Sequence, residues 1–240
     1  MKTLIIIPAY NESSNIRNVI NNITSNFTQY DYIIINDCSK DNTEEICKEN
    51  NFNFVSLPVN LGIGGAVQCG YKYALEKNYD IAVQIDGDGQ HDPAYIEKII
   101  LPIIKKEADM VIGSRFIENK GFQSSFIRRF GIWIIKIFIR ICCGAKVTDT
   151  TSGFRAANKD LIKLFANEYA HDYPEPEAIV CAVLNGYKVT EAPVIMNERT
   201  GGISSINTLR SAYYMLKVPL ALLIYRLGIR KIKKRINNNE

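Results

Sequence analysis

The chain has 240 residues, 47% hydrophobic and 22% charged, a composition that excludes disorder and suits one folded α/β-sized domain. Its net charge of +4 is a feature of the tail: residues 226–240 hold six basic residues and one acid, leaving 23 basic and 24 acidic residues elsewhere. Six cysteines lie scattered with no CxxC pair, which argues against zinc and fits thiols in a reducing compartment. No run reaches the roughly 18 apolar residues of a spanning helix. Leu4–Ile7 is too short for a signal peptide and is followed by polar turn residues, so a peripheral or soluble chain is expected.

In chain order, the apolar run from Thr3 to Pro8 predicts a strand buried on both faces. Glu12 to Ser25 reads as a helix, with Ile16, Val19, Ile20 and Ile23 on one face. Strands are predicted over 32–35, 54–57, 81–85 and 110–113, and helices over 43–50 and 94–106. Gly62 to Gly65 reads as a glycine-rich turn opening a helix that runs to Glu76. This alternation predicts the α/β class, a doubly wound and mostly parallel sheet. Ligands bind such sheets beyond the carboxyl ends of the strands, where Asp37, Asp86 and Asp88 all fall.

After Arg115 the pattern changes. Residues 119–148 carry six basic residues and no acid, and Phe126 to Cys143 reads as an amphipathic helix. It suits a membrane surface, or equally a place on the sheet or at a homo-oligomer interface. Ser211 to Ile236 is a second apolar and basic segment, interrupted by Pro219. The expected division is a catalytic domain over 1–206 and a membrane-associating segment over 207–240.

The chemistry concentrates in Asp86-Gly87-Asp88-Gly89-Gln90-His91. Two carboxylates directed into one cleft repel unless a cation joins them. Oxygen ligands favour Mg2+ or Mn2+, with Gln90 as a third oxygen; the plainer alternative is an acidic surface turn. Two further loops, Pro8–Glu12 and Asn36–Asp41, complete a polar rim. There Asp37 can accept a nucleobase N–H and Glu12 can bind ribose hydroxyls, while Asn11, Asp37 and Ser39 also suit turns and helix caps.

In their order and spacing, Pro8-Ala-Tyr-Asn-Glu12, Asn36-Asp37-Cys-Ser, Asn60-Leu-Gly62, Asp86-Gly-Asp-Gly-Gln-His91, Gly113-Ser-Arg115, Ser152-Gly-Phe-Arg155 and Glu198-Arg199 with Gly202 and Ser204 resemble glycosyltransferase family 2. The resemblance covers about residues 1–206, implies the GT-A fold, and is strongest to the dolichyl- and undecaprenyl-phosphate sugar transferases. It implies nucleotide-sugar contacts at Pro8, Tyr10, Glu12, Asp37, Gly62 and Asp86. Asp86, Asp88 and Gln90 are implied for the metal and diphosphate, Arg115 and Arg199 as cations for phosphate, and Ser152 and Arg155 for the acceptor. The chain departs from the family pattern at Asn36, where an acid is usual, and at Ile63, where many relatives carry a lysine.

The implied reaction is inverting transfer of a sugar from a nucleotide sugar, UDP preferred and GDP possible, to polyprenyl phosphate at the cytoplasmic face of a membrane. A phosphate monoester, with a second pKa of about 6, is largely dianionic at neutral pH and is already a nucleophile. The expected catalytic set is Asp88, Arg115, Arg199 and Glu177, with Asp149 and Glu175 as further carboxylate candidates. The competing readings are transfer to a glycan hydroxyl and a non-catalytic nucleotide-binding scaffold. A processive synthase is disfavoured because Trp133, the only tryptophan, lies in Gly-Ile-Trp-Ile and not in a Gln-x-x-Arg-Trp motif. Nucleic acid is disfavoured by the acidic cleft and the lack of an aromatic platform. A small separate membrane protein is the alternative to direct attachment.

Overall fold

The computed structural model describes residues 1–118, 126–197 and 217–228. β1 (Thr3–Ala9) is buried along its whole length. Successive side chains of a strand point to opposite faces, so Leu4 and Ile6 enter one apolar layer while Ile5 and Ile7 enter the other. A strand with both faces covered has no use for polar alternation, which is why the sequence is continuously aliphatic here.

From β1 the chain winds outward through α1 (Ile16–Asn26), β2 (Asp31–Asn36), α2 (Thr43–Glu49) and β3 (Phe54–Ser56). It then returns through α3 (Gly62–Glu76) to β4 (Ile81–Gln84), on the opposite side of β1. β1 pairs in parallel with both β2 and β4. This reversal of winding opens a crevice between the loops leaving β1 and β4, the usual ligand position in such sheets. The expected glycine turn at 62–65 is instead the first turn of α3. Its glycines permit close approach: a Cβ on Gly64 would lie 2.0 Å from the Ala170 carbonyl oxygen.

Beyond β4 come α4 (Ile96–Ile104), β5 (Met110–Ser114), α5 (Phe126–Cys143), β6 (Arg155–Asn158), α6 (Lys159–Asn167), α7 (Pro174–Leu184) and β7 (Val189–Pro193). The strand order is β3-β2-β1-β4-β6-β5-β7. β6 is antiparallel to both β4 and β5, with Gln84 and Ile112 each opposite Arg155. That insertion brings the start of β6, and the loop before it, to the carboxyl ends of the parallel strands. Helices α1, α2 and α4 cover one face of the sheet, and α3, α5, α6 and α7 the other. Each fully buried aliphatic side chain in these layers contributes about 1.5–3 kcal/mol of transfer free energy.

A last described helix, α8, spans residues 217–228. Pro219 lies within the described part of this helix, and the stretch before Lys217 lies outside the described residues. Val218 and Leu222 join the core layer on the α7 side of the sheet. Among the described residues no helix is long and apolar enough to cross a membrane. The six cysteines are free, and burial pushes the Cys47 thiol up to about 11.

Candidate active site

The loops after β1 and β2 are tied together by their own polar groups. The Asn11 N–H donates to Ser39 Oγ (3.0 Å), and the Lys40 N–H returns to Asn11 Oδ1 (2.7 Å). The Glu12 N–H donates to Thr43 Oγ1 (2.9 Å), and Asp41 accepts from the Ser13 N–H (3.1 Å). Asn11 and Cys38 both adopt positive φ, 57° and 56°, a conformation tolerated by asparagine and uncommon for cysteine. Tyr10 projects from this wall with 42% of its surface exposed, beside the buried Pro8.

Asp37 is buried, and its Oδ1 accepts the Leu61 N–H at 2.7 Å, pinning the start of α3. Burial raises its pKa, opposed by the Leu61 and Gly62 N–H groups. Gly62 itself has φ +76°, a backbone state glycine adopts without strain. Glu12 is also buried and accepts from Asn15 Nδ2 at 2.8 Å. Asn36 is wholly internal, donating to Ser56 Oγ at 2.9 Å.

Asp86 and Asp88 follow β4 directly, against the β1 loop. A Cβ on Gly87 would lie 3.2 Å from the Pro8 carbonyl oxygen and 3.6 Å from Glu12 Cγ. Asp86 is held from several sides. Gln84 Nε2 donates to its Oδ1 at 3.3 Å, and its own N–H donates to His91 Nδ1 at 3.0 Å. Gly153 comes so close that a Cβ there would lie 2.9 and 3.0 Å from the two carboxylate oxygens. Asp88 Oδ1 accepts the Gln90 N–H at 3.0 Å, and Gln90 Nε2 donates to the Asn197 carbonyl at 3.4 Å. Among the described residues no third His, Cys, Asp or Glu joins these two carboxylates in a cluster. Two hard oxygen donors at a strand end, in a cradle that only glycines leave open, match what a Mg2+ or Mn2+ ion takes.

The arginines stand differently from expectation. The Arg115 guanidinium is gripped by Asp149, with Nε to Oδ2 at 2.7 Å and Nη2 to Oδ1 at 2.8 Å, and the side chains are 7% and 0% exposed. Asp149 is therefore the anchor of a buried ion pair and not an open base. Its N–H and that of Thr148 are held by Glu191 of β7, each at 2.8 Å. Arg155 is the first residue of β6 and is 1% exposed. It donates through Nε to the Ser152 carbonyl (2.6 Å) and through Nη1 to the Glu175 carbonyl (2.7 Å). Ser152 is equally buried.

Glu177 lies on α7 in a cavity of about 190 Å³ with Glu168, Tyr169, Cys181 and Tyr225. Burial raises its pKa, assisted by Asp172 and opposed by Lys217. Tyr169, which lines the same cavity, also feels the charges of Glu175 and Asp86. Arg199 and the rest of the 198–216 segment lie outside the described residues. Two site residues carry signals the motif alone did not assign, Gly153 and His91. Both stand inside the quoted motifs, but only the fold reveals that they touch Asp86.

The chain matches the family model "Glycosyl transferase family 2" over residues 4–165. It is 36% identical over 210 residues to the UDP-N-acetylglucosamine–dolichyl-phosphate N-acetylglucosaminyltransferase of Methanococcus voltae, covering 79% of this chain and 83% of that one. It is 27% identical over 216 residues to the undecaprenyl-phosphate mannosyltransferase of Micrococcus luteus, covering 86% and 88%. In fold it is similar to the glucosyl-3-phosphoglycerate synthase of Mycobacterium tuberculosis, solved with Mn2+, UDP-glucose and phosphoglyceric acid. The TM-score is 0.71 at 18% identity, covering 95% of this chain and 80% of that one. With a GT-A sheet, an Asp-x-Asp loop at its switch point and a family match over more than half its length, the chain belongs to glycosyl transferase family 2 and is a glycosyltransferase.

Proposed function

We propose that the protein transfers a sugar from a UDP-sugar to a polyprenyl phosphate, with inversion and with a divalent cation held by Asp86 and Asp88. The observation that carries this reading is the Asp86–Asp88 pair, cradled by Gly87 and Gly153, in a chain that aligns along most of its length with two polyprenyl-phosphate transferases. When bound, the cation neutralises charge on the departing nucleoside diphosphate. Tyr10 offers its ring to the base, and Asp37 offers an oxygen to the uracil N–H. Of the acids expected to act as a base, Asp149 is held by Arg115 and Glu177 faces Asp172 and Lys217. An acceptor that is already anionic suits such a site, because it needs no proton removed. Asp149, through Arg115 and Thr151, fixes the loop that ends in Gly153.

The test is transfer from a panel of UDP- and GDP-sugars to polyprenyl phosphate with Mn2+ or Mg2+. A chloroform-soluble product lost on chelation is expected. Transfer to a glycan hydroxyl with none to lipid would replace this reading by the hydroxyl-acceptor one.

Gly153→Ala is the sharpest local probe of the cradle. Its new methyl must displace the Asp86 carboxylate or Gln84 Nε2, 3.0 Å away. We expect a folded protein whose Mn2+-dependent UDP binding weakens about 10-fold or more, the usual effect of disturbing a metal ligand's support. Unchanged titration calorimetry would remove Gly153 from the site.

The same reading places the protein on an anionic bilayer. α5 exposes Phe130, Trp133, Ile137 and Ile141, and α8 exposes Leu220, Ile224 and Leu227. The Arg226 guanidinium meets the Ile141 carbonyl, so the two helices adjoin. Arg129, Lys136 and Arg140 are exposed on α5, and basic residues beside an apolar stripe favour anionic headgroups. Trp133 is the only tryptophan and is 54% exposed. Its emission should shift to the blue on anionic vesicles and be quenched by acyl-chain bromine. No shift and no co-sedimentation would argue for a membrane protein partner instead.

A further inference from the structure

We infer that His91 is a positioning residue that sets Asp86 for its ligand, an inference that rests on the proposed metal role of Asp86. The imidazole is 5% exposed and stands behind the carboxylate. It accepts the Asp86 N–H at Nδ1 (3.0 Å), which leaves the ring proton on Nε2. Nε2 lies 3.7 Å from Asp86 Oδ2. One ring therefore addresses both the backbone and the side chain of the same aspartate.

The ring is itself fixed. It stacks on Phe154, centroids 5.1 Å apart at 18°, and Phe154 is wholly buried in the core layer of α1 and α4. His91 also bridges to Met196, and the Asn197 N–H donates to the Gln90 carbonyl at 2.9 Å. The Asp86 loop is thus joined to the stretch that continues in sequence to Arg199. A rigid imidazole between a packed aromatic and a ligating carboxylate is how outer groups orient metal ligands, and losing one costs about 10–100-fold in metal affinity. His91 completes a three-sided support for Asp86 with Gln84 and Gly153, bonded to its main chain and with Nε2 3.7 Å from its carboxylate.

Three measurements on the full chain test this. Long-range proton–nitrogen NMR on the metal-free protein should find His91 as the Nε2–H tautomer; the Nδ1–H tautomer would overturn the assignment. Manganese EPR titration with UDP should show His91→Ala weakened at least 10-fold. His91→Asn, whose amide oxygen can accept the Asp86 N–H, should recover much of the loss. In transfer assays the alanine variant should raise the metal concentration for half-activation while kcat at saturating metal falls less. A folded His91→Ala with wild-type Mn2+–UDP binding sinks the proposal, and so does an asparagine variant no better than alanine. If alanine does not fold, the asparagine variant and the tautomer decide. Should the wild type bind UDP without any Mn2+ dependence, the metal reading fails separately. Amide exchange at Asp86, slow in the wild type, fast in the alanine variant and slowed again in the asparagine variant, then still upholds the His91 contact, and equal rates in wild type and alanine refute it.

Discussion

Asp88→Ala is expected to lose transfer by about 100- to 1,000-fold while melting close to the wild type. The size follows from the chemistry: a group that offsets charge developing on a leaving diphosphate has its effect in the transition state, where single preorganised contacts are worth about 100- to 1,000-fold. The fold should tolerate the change because Asp88 lies in a loop beyond β4 and contributes nothing to the two core layers. Its Oδ1 accepts a local N–H, from Gln90. Asp86→Ala should match it in activity and lose slightly more stability, since Gln84 Nε2 then loses its acceptor inside the sheet end. Nucleotide binding separates the two effects: both variants should bind UDP equally with and without Mn2+. A variant lacking either carboxylate that keeps Mn2+-stimulated UDP binding and turnover would refute the metal assignment.

The first half of the fold is legible because every element there carries its own period. β1 and β4 are buried along their whole length and carry the aliphatic runs Leu4–Ile7 and Ile81–Val83, and α1 shows Ile16, Val19, Ile20 and Ile23 on one face. The amphipathic stretch from Phe126 to Cys143 coincides with α5 for the same reason. The second half is illegible for an equally physical cause. β6 is four residues, Arg-Ala-Ala-Asn, with no alternation, and its strand character comes from pairing with β4 and β5. α7 begins Pro-Glu-Pro, which reads as a breaker, although prolines in a first helical turn lose no hydrogen bond. Without β6 and α7 the sequence does not show that Arg155 is buried or that Glu177 shares a cavity with Tyr169 and Tyr225. Motif order identified which residues gather at the β4 end. Only long-range pairing determines which of them face a ligand and which hold the others in place, and Arg115 is the clearest case.

Asp149→Ala should therefore be the most destabilising single change at this end of the sheet. It removes the two carboxylate oxygens that accept from the buried Arg115 guanidinium, and with them the Asp149 charge paired to it. Breaking such a pair from one side costs about 3–5 kcal/mol, and for a chain of this size that corresponds to a fall of about 10 °C in Tm. The loss should spread, because Asp149 also accepts the Arg115 N–H and its loop is bonded to Glu191 on the edge strand. The apolar double variant Arg115→Met with Asp149→Leu should regain most of the stability, since removing both charges abolishes the desolvation cost along with the attraction. Activity need not return with it: the loop ends at Gly153, against the Asp86 carboxylate, and a slightly different path there would misplace the ligand. Thermal melts of the two single variants and the double variant, with transfer assayed in parallel, decide the matter. If Arg115→Met instead melts like the wild type while transfer is lost, the guanidinium serves a ligand directly and the Asp149 pairing is secondary.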